Sequence, residues 1–430
     1  MDVSQPDRVV IITDFSRERG GASRLALLMA RRLSARGIAV TLFAGDLPAT
    51  ELPDDISVAG IEGQALLDKG GIGGRVGAAL AGIWNGAARQ ALSRLISDED
   101  TPRTIYHVHG FLQTLSPAIF SALHPVRRRV VIHAHDYFLS CPNGAFFDYQ
   151  SRSECARIPL SAACITRNCD KRSAAQKAWR VGRQAVQNRQ VAEIARDGRV
   201  ILIHEDMRPY LDRGLRIGNP ATVRNPAEPF LTDAATPERH APFLYVGDVH
   251  AYKGVFELCA AARQTGVPLM IAGNGQDRAA LETQYPEVVF LGWQDRAGLA
   301  RHAAGVRAIV VPTLGPEPFG LTIVEALTCG LPVIISDSAL LARDVVAAGA
   351  GLSFKAGDVT DLADVLARVA GDDDLVRTMS AAAIRTKDRH DKSPDAWCDE
   401  ILEVYRDALA SVRSDASAVE RRAVTAERHQ

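Results

Sequence analysis

At 430 residues, 47% hydrophobic and 23% charged, the chain can bury two sizeable cores and reads as a soluble globular protein of two or three domains. No run of about eighteen apolar residues is present to span a bilayer, and the start MDVSQPDRVV carries acid in place of a basic, apolar leader. The net charge of −1 hides an asymmetry, since residues 1–225 hold 30 Lys and Arg against 22 Asp and Glu while the remainder holds 20 against 29.

The basic half suits an anionic partner. Nucleic acid is disfavoured because the basic residues are not interleaved with aromatics and no nucleic-acid-binding signature occurs. A lipid diphosphate or an anionic membrane surface fits better, with a merely solvated face as the alternative. The expected location is the cytoplasm, with peripheral contact at the inner face of the membrane as an option.

In chain order, residues 8–12 (RVVII) predict a first parallel strand, Leu25 to Leu33 a helix, and Gly37 to Phe43 a second strand, the strand-helix-strand order of a Rossmann-like domain. Gly20 and Gly21 stand before that helix, where a phosphate can approach the backbone closely. The dinucleotide fingerprint is absent, which disfavours a dehydrogenase. Residues 70–95 read as a Gly-rich loop entering a helix, structural or acceptor-holding. Two further strands end in histidines, Thr104 to His109 and Val130 to Asp136, and strand ends of parallel sheets line ligand crevices. A histidine there can titrate near neutral pH. His107 and His133 share a strand face with His109 and His135, so the assignment of one histidine per strand stays open.

After Asp136 the pattern turns irregular, and Cys141, Cys155, Cys164 and Cys169 fall within 29 residues. Their spacing is not that of a familiar zinc ribbon, so a structural zinc, a redox pair and plain thiols all remain readings. The basic helix that follows offers Lys171, Arg172, Lys177, Arg180 and Arg183 to phosphate or membrane, or simply to solvent. Arg224-Asn-Pro-Ala-Glu-Pro reads as a linker. Strands then run into glycine turns at Gly247, Gly273 to Gly275 and Gly292, and Lys253 precedes a helix, a cation placed for a diphosphate. Asp372 to Asp374 is read as a helix cap, not a metal site.

The most informative stretch is Gly315-Pro-Glu-Pro-Phe-Gly-Leu-Thr-Ile-Val-Glu-Ala-Leu-Thr-Cys-Gly330. It predicts a loop holding Glu317 and a helix from near Gly320 to Gly330 that carries Glu325 among apolar residues. A buried carboxylate needs a partner, which ribose hydroxyls would supply, while the N–H groups of Phe319, Gly320 and Leu321 would face an anion.

Written as EPFGLTIVEALTCGLPVIIS, the motif resembles the donor site of retaining glycosyltransferases of family 4, the glycosyl transferases group 1 type. That resemblance implies the GT-B fold, α/β with two Rossmann-like domains facing across a cleft. It implies that Glu317 touches the transferred sugar, Glu325 the nucleotide ribose, Lys253 the diphosphate, and Asn274 and Leu291 the base and ribose. It also makes His135 the active-site histidine, with His109, Asp136 and Arg24 on the acceptor side, and places the loop of Gly20 and Gly21 toward the donor diphosphate. The cysteine loop HDYFLSCPNG is similar to one in a subset of the family. One departure stands out: Asp248 occupies the position of a family arginine, and Arg19 and Arg24 are the candidates to compensate.

The domain expectation is 1–225 for acceptor binding, with a Cys-containing insertion at about 137–172; 226–390 for the nucleotide-sugar donor; 391–412 as a helix returning to the first domain; and 413–430 as a polar tail. The expected activity is retaining transfer of a hexose from a UDP-, GDP- or ADP-sugar to a glycan or lipid-diphosphate-linked acceptor, in bacterial exopolysaccharide or lipopolysaccharide assembly. No cofactor or metal is expected to be required for the chemistry. The alternatives are a nucleotide-sugar epimerase of the same fold and a noncatalytic nucleotide-sugar-binding protein.

Overall fold

A computed structural model describes residues 5–49, 52–62, 72–387 and 392–427, with the side chains of 72–75 and 414–427 outside that description. Gly70 and Gly71, at the head of the Gly-rich stretch, and the last three residues of the polar tail therefore lie outside the described residues. The chain forms two compact units: residues 1–144, 157–223 and 394–430 make the first, and 145–156 with 224–393 make the second.

Among the described residues fifteen strands occur: β1 (Arg8–Thr13), β2 (Ala39–Ala44), β3 (Ile56–Gly60), β4 (Thr104–Val108), β5 (Val130–Ala134), the hairpin β6 (Phe147–Asp148) and β7 (Ser153–Glu154), β8 (Arg199–Leu202), β9 (Pro220–Thr222), β10 (Phe243–Val246), β11 (Leu269–Ala272), β12 (Val289–Gly292), β13 (Ala308–Val311), β14 (Val333–Ser336) and β15 (Gly351–Phe354). The first unit's sheet has the order β3-β2-β1-β4-β5-β8-β9 and the second's β12-β11-β10-β13-β14-β15. Neighbouring strands are parallel throughout both sheets. Each unit is thus Rossmann-like, with strand order reversing beside its first strand. At that reversal the crossovers leave on opposite faces and open a crevice at the carboxyl ends of the strands.

The runs of β-branched residues in the central strands β1, β4, β5, β8, β13 and β14 are buried on both faces, as parallel sheets under helices require. Val9, Ile11, Leu42, Ile105 and Val131 of the first sheet share a core with Trp397, Ile401, Tyr405 and Leu409 of the helix Pro394–Glu427. In the second unit Phe243, Ile271, Val310 and Ile334 pack with Leu258, Leu362, Leu366 and Val376. The sequence assigns all of 137–172 to the first domain, but residues 145–156 group with the second unit. The reason is aromatic packing: the Phe147 ring lies so close to Gly315 that a Cβ there would sit 3.0 Å from it, and the Tyr149 ring meets Tyr252 edge-on at 5.4 Å. Among the described residues no helix is long and apolar enough to cross a membrane.

Candidate functional site

In the second unit the crevice lies between β10 and β13, and the two loops leaving those strands carry Lys253 and Glu317. Lys253 Nζ donates to Glu317 Oε2 at 2.5 Å. Burial works against the ammonium, but the facing Glu317 carboxylate outweighs it and raises the lysine above its ordinary pKa. The turn is held by Gly254, at φ +74°, where a Cβ would lie 1.8 Å from the carbonyl oxygen of Pro312 at the end of β13. Only glycine fits so close an approach in that backbone region. Phe319 is buried, Gly320 is left-handed at φ +69°, and Leu321 opens the helix Leu321–Thr328. The helix ends two residues short of Gly330, which adopts φ +79° just beyond it.

Glu325 is buried as expected, but its partner is protein. Arg296 Nη1 donates to Glu325 Oε1 at 2.9 Å, while Arg296 Nη2 donates to the carbonyls of Glu228 and Pro229. Arg296, the first residue of the helix Arg296–Ala303, thus gives the buried carboxylate a partner within the protein, one the sequence did not point to. Asn274 follows β11 and accepts from Arg278 at 2.6 Å; Leu291 lies in β12, and its carbonyl accepts from Gln294 at 2.7 Å. Asp248 is exposed, and its backbone carbonyl accepts from the Tyr245 hydroxyl at 2.8 Å. Lys253, Glu317, Asn274 and Leu291 therefore all lie toward the carboxyl ends of β10 to β13, with Glu325 in the helix that follows.

The first unit repeats the pattern. Asp14, at the end of β1, accepts from the backbone N–H groups of Leu112, Gln113, Thr114 and Leu115 at 2.6 to 3.1 Å, pinning the loop after β4 across the crevice. Beside it is a cavity of about 220 Å³ whose wall includes Gly20, Gly21, His109, His135 and Asp136. The structure thus brings five of the expected residues together; Arg24, half-buried on the helix Gly21–Ser34, is not in that wall.

All four histidines belong to one stack. Period-two alternation puts His107 with His109 (4.1 Å between rings) and His133 with His135 (4.2 Å), and His109 Nδ1 lies 3.1 Å from His135 Nε2. His107 Nδ1 also meets the Tyr405 hydroxyl at 2.6 Å. Burial moves these histidines away from neutral titration, because it disfavours the imidazolium: His107 and His135 are held at about 3, and His109 and His133 lie well below the ordinary value. The titratable group is Asp136, whose carboxyl burial pushes up to about 6 against the opposing pull of the Phe138 N–H and of Arg183.

Neutral histidines have a thermodynamic consequence. Unfolded imidazoles take up protons near 6.5 and the folded ones do not, so stability should fall as pH drops from 6.5 toward 3. Each histidine adds a slope of up to about 1.4 kcal/mol per pH unit. Asp136 opposes this below pH 6, since there the folded state holds the extra proton, but it is one proton against four. Urea midpoints should decline between pH 6.5 and 5 and decline less steeply in His133→Gln; an equal decline would remove the histidines as the cause.

The four cysteines, for which zinc is one reading among several, do not form a group of metal-ligand spacing among the described residues. Lys177 Nζ donates to the sulfurs of Cys169 at 3.2 Å and Cys164 at 3.6 Å, and Asn143 Nδ2 donates to Cys169 Sγ at 3.1 Å. Cys155 belongs to the segment of the second unit. An ammonium facing two sulfurs is a poor fit to a metal dication at the same place.

Residues 231–386 match the family model described as glycosyl transferases group 1, which bears out the resemblance drawn from the motif. A phosphatidyl-myo-inositol mannosyltransferase of Mycobacterium leprae is 34% identical over 149 residues, 34% of this chain and 39% of the relative. A GDP-mannose-dependent alpha-mannosyltransferase of Mycolicibacterium smegmatis is 37% identical over 103 residues, 24% of this chain and 27% of the relative. The matches thus span well under half the length of these relatives. In overall fold the chain is similar to the sucrose-phosphate synthase of Thermosynechococcus elongatus, with a TM-score of 0.68 at 18% identity over 94% of this chain and 99% of the other. Alr3699/HepE of Anabaena, solved in complex with UDP-glucose, gives 0.61 at 15% identity over 95% and 99%. The two Rossmann-like units are those of the GT-B fold.

Proposed function

We propose that the protein is a retaining glycosyltransferase of family 4 that moves a hexose from a nucleotide diphosphate sugar to a glycan or lipid-linked acceptor in bacterial surface-polysaccharide assembly. The observation that carries the reading is the meeting of Lys253 with Glu317 at the strand-order reversal of a unit matching the group 1 model. A cation held beside a carboxylate at the crevice can bind the departing diphosphate and steady the sugar, and electrostatic stabilisation of that kind is commonly the largest catalytic term. Relatives named for GDP-mannose and a neighbour solved with UDP-glucose support a nucleotide-sugar donor.

In this reading no carboxylate of the protein attacks the anomeric carbon. The acceptor oxygen enters on the face the diphosphate leaves, and the leaving phosphate takes the acceptor's proton, which preserves the anomeric configuration without a covalent intermediate. Glu317 and His135 position the sugar; His135, neutral down to about pH 3, serves as a hydrogen-bonding group and not as an acid. Asp248, exposed and acidic where a cation is expected, favours a weak donor site or a purely binding role as the second reading.

Calorimetric titration with UDP, GDP and ADP, with and without EDTA, tests the proposal. Selective binding of one nucleotide that survives EDTA is expected, and Glu325→Ala should weaken it about tenfold or more, through loss of a charged hydrogen-bond acceptor. Equal affinity in that variant would contradict the ribose role of Glu325. Failure of all three nucleotides to bind would sink the transferase reading.

A further inference from the structure

The first unit holds a second, larger cavity, of about 750 Å³, that the donor chemistry does not use. Its wall includes Arg172, Trp179, Arg180 and Arg183 from the basic helix region, together with Phe138 and Asp136. The helix Ala174–Asp197 begins there, and Ser173, Ala175 and Gln176 of its capped first turn also line the space. We infer that this cavity binds a phosphate group carried by the acceptor, held by the buried Arg183 with Arg172 at the rim.

Arg183 carries the argument. It is only 7% exposed, yet its Nε and Nη2 have no hydrogen-bond partner. Asp14 and Asp136 lend it negative charge from nearby without bonding those atoms, and burial lowers the guanidinium to about 10. A buried guanidinium with unmet donors is costly, and a planar fork of N–H groups matches phosphate oxygens. Arg180 is differently placed, since its Nε already pairs with Asp170 at 2.9 Å. Arg172 is exposed at the rim and can join a bound anion.

The position deepens the proposed activity. Leu112, Gln113, Asp136 and Phe138 border both this cavity and the smaller one of His109 and His135. A phosphate on Arg183 would leave the rest of an acceptor running past Asp136 toward the histidines. The word acceptor rests on the glycosyltransferase reading; the binding of phosphate does not. The phosphate could belong to a lipid or to a soluble sugar phosphate, and Ala78, Ala79 and Trp179 give the cavity an apolar side on which an alkyl chain could lie.

The test is calorimetry of the full chain with inorganic phosphate, glucose 1-phosphate and dodecyl phosphate, methyl glucoside serving as the uncharged control. Binding of the three phosphates and not of the control is expected, with Arg183→Gln weakening it about tenfold to a hundredfold and the rim change Arg172→Gln by a few-fold. A preference for dodecyl phosphate would assign a lipid-borne group, and one for glucose 1-phosphate a soluble one. Because Arg183 is buried, Arg172→Gln keeps the test valid if Arg183→Gln does not fold. Phosphate affinity unchanged in every folded variant, no phosphate binding at all, or competition by the nucleotide that binds the second unit would each overturn the site. Phosphate binding lost with Arg183 in a protein that binds no nucleotide would keep the site and remove the transferase.

Discussion

Replacing Glu317 by Ala should lower the rate of sugar transfer by about a hundredfold to a thousandfold, the scale seen when one preorganised group facing transition-state charge is removed. Nucleotide affinity should change by less than about threefold. Glu317 and Lys253 are bonded at 2.5 Å, so the substitution both removes the carboxylate and leaves the lysine to find another partner. For nucleotide binding the second effect is mild, because a bound diphosphate supplies negative charge to the ammonium. For transfer nothing replaces the carboxylate. Glu317→Gln separates the two: it keeps the size and one acceptor oxygen while losing the charge that raises Lys253. Steady-state rates beside calorimetric nucleotide affinities would settle it. A parallel fall in both would mean that Glu317 acts by placing Lys253 for the nucleotide and not on the sugar.

What could be read in advance was what lies close together in sequence. The glycine turns after β10, β11 and β12, the helix carrying Glu325 and the histidine-ended strands β4 and β5 are all local patterns, and the sheets assemble from them in the expected way. The period of two placed the histidines on a shared face, but not the closing of that face by Tyr405, 298 positions on from His107. That enclosure is what keeps the rings neutral, a tertiary effect with no mark in the local sequence. Arg296 was missed for a similar reason: Glu325 demanded a partner, and Arg296, which donates to it, lies 29 positions earlier on a separate helix with nothing local to mark it. Lys177 appears in sequence as one charge on a basic helix face, yet it is turned inward against sulfur. Charge runs show where cations are, and burial decides what each one does.

Asp14 is the residue on which the first unit's crevice most depends, and Asp14→Ala should cost that unit about 3 to 5 kcal/mol. Its two carboxylate oxygens gather four N–H groups and the Thr114 hydroxyl, all 98 to 101 positions away along the chain. Nothing in the sequence around Asp14 announces those partners. Alanine would leave buried donors unmet, each at a cost of about 1 to 3 kcal/mol, so partial rearrangement of the loop is the expected escape. Asparagine should be intermediate, since it keeps one acceptor oxygen but turns a donor toward N–H groups that are donors themselves. Amide hydrogen exchange reads the effect locally: protection of residues 112–115 should collapse in Asp14→Ala while nucleotide binding by the second unit persists. Unchanged protection would show that the loop is held by packing, with the carboxylate incidental. The consequence reaches the proposed acceptor side, because Leu112 and Gln113 border both of the first unit's cavities. A carboxylate buried between two strand-end loops is here a positioning device, fixing the crevice of the first unit much as the Lys253–Glu317 pair joins the loops of the second.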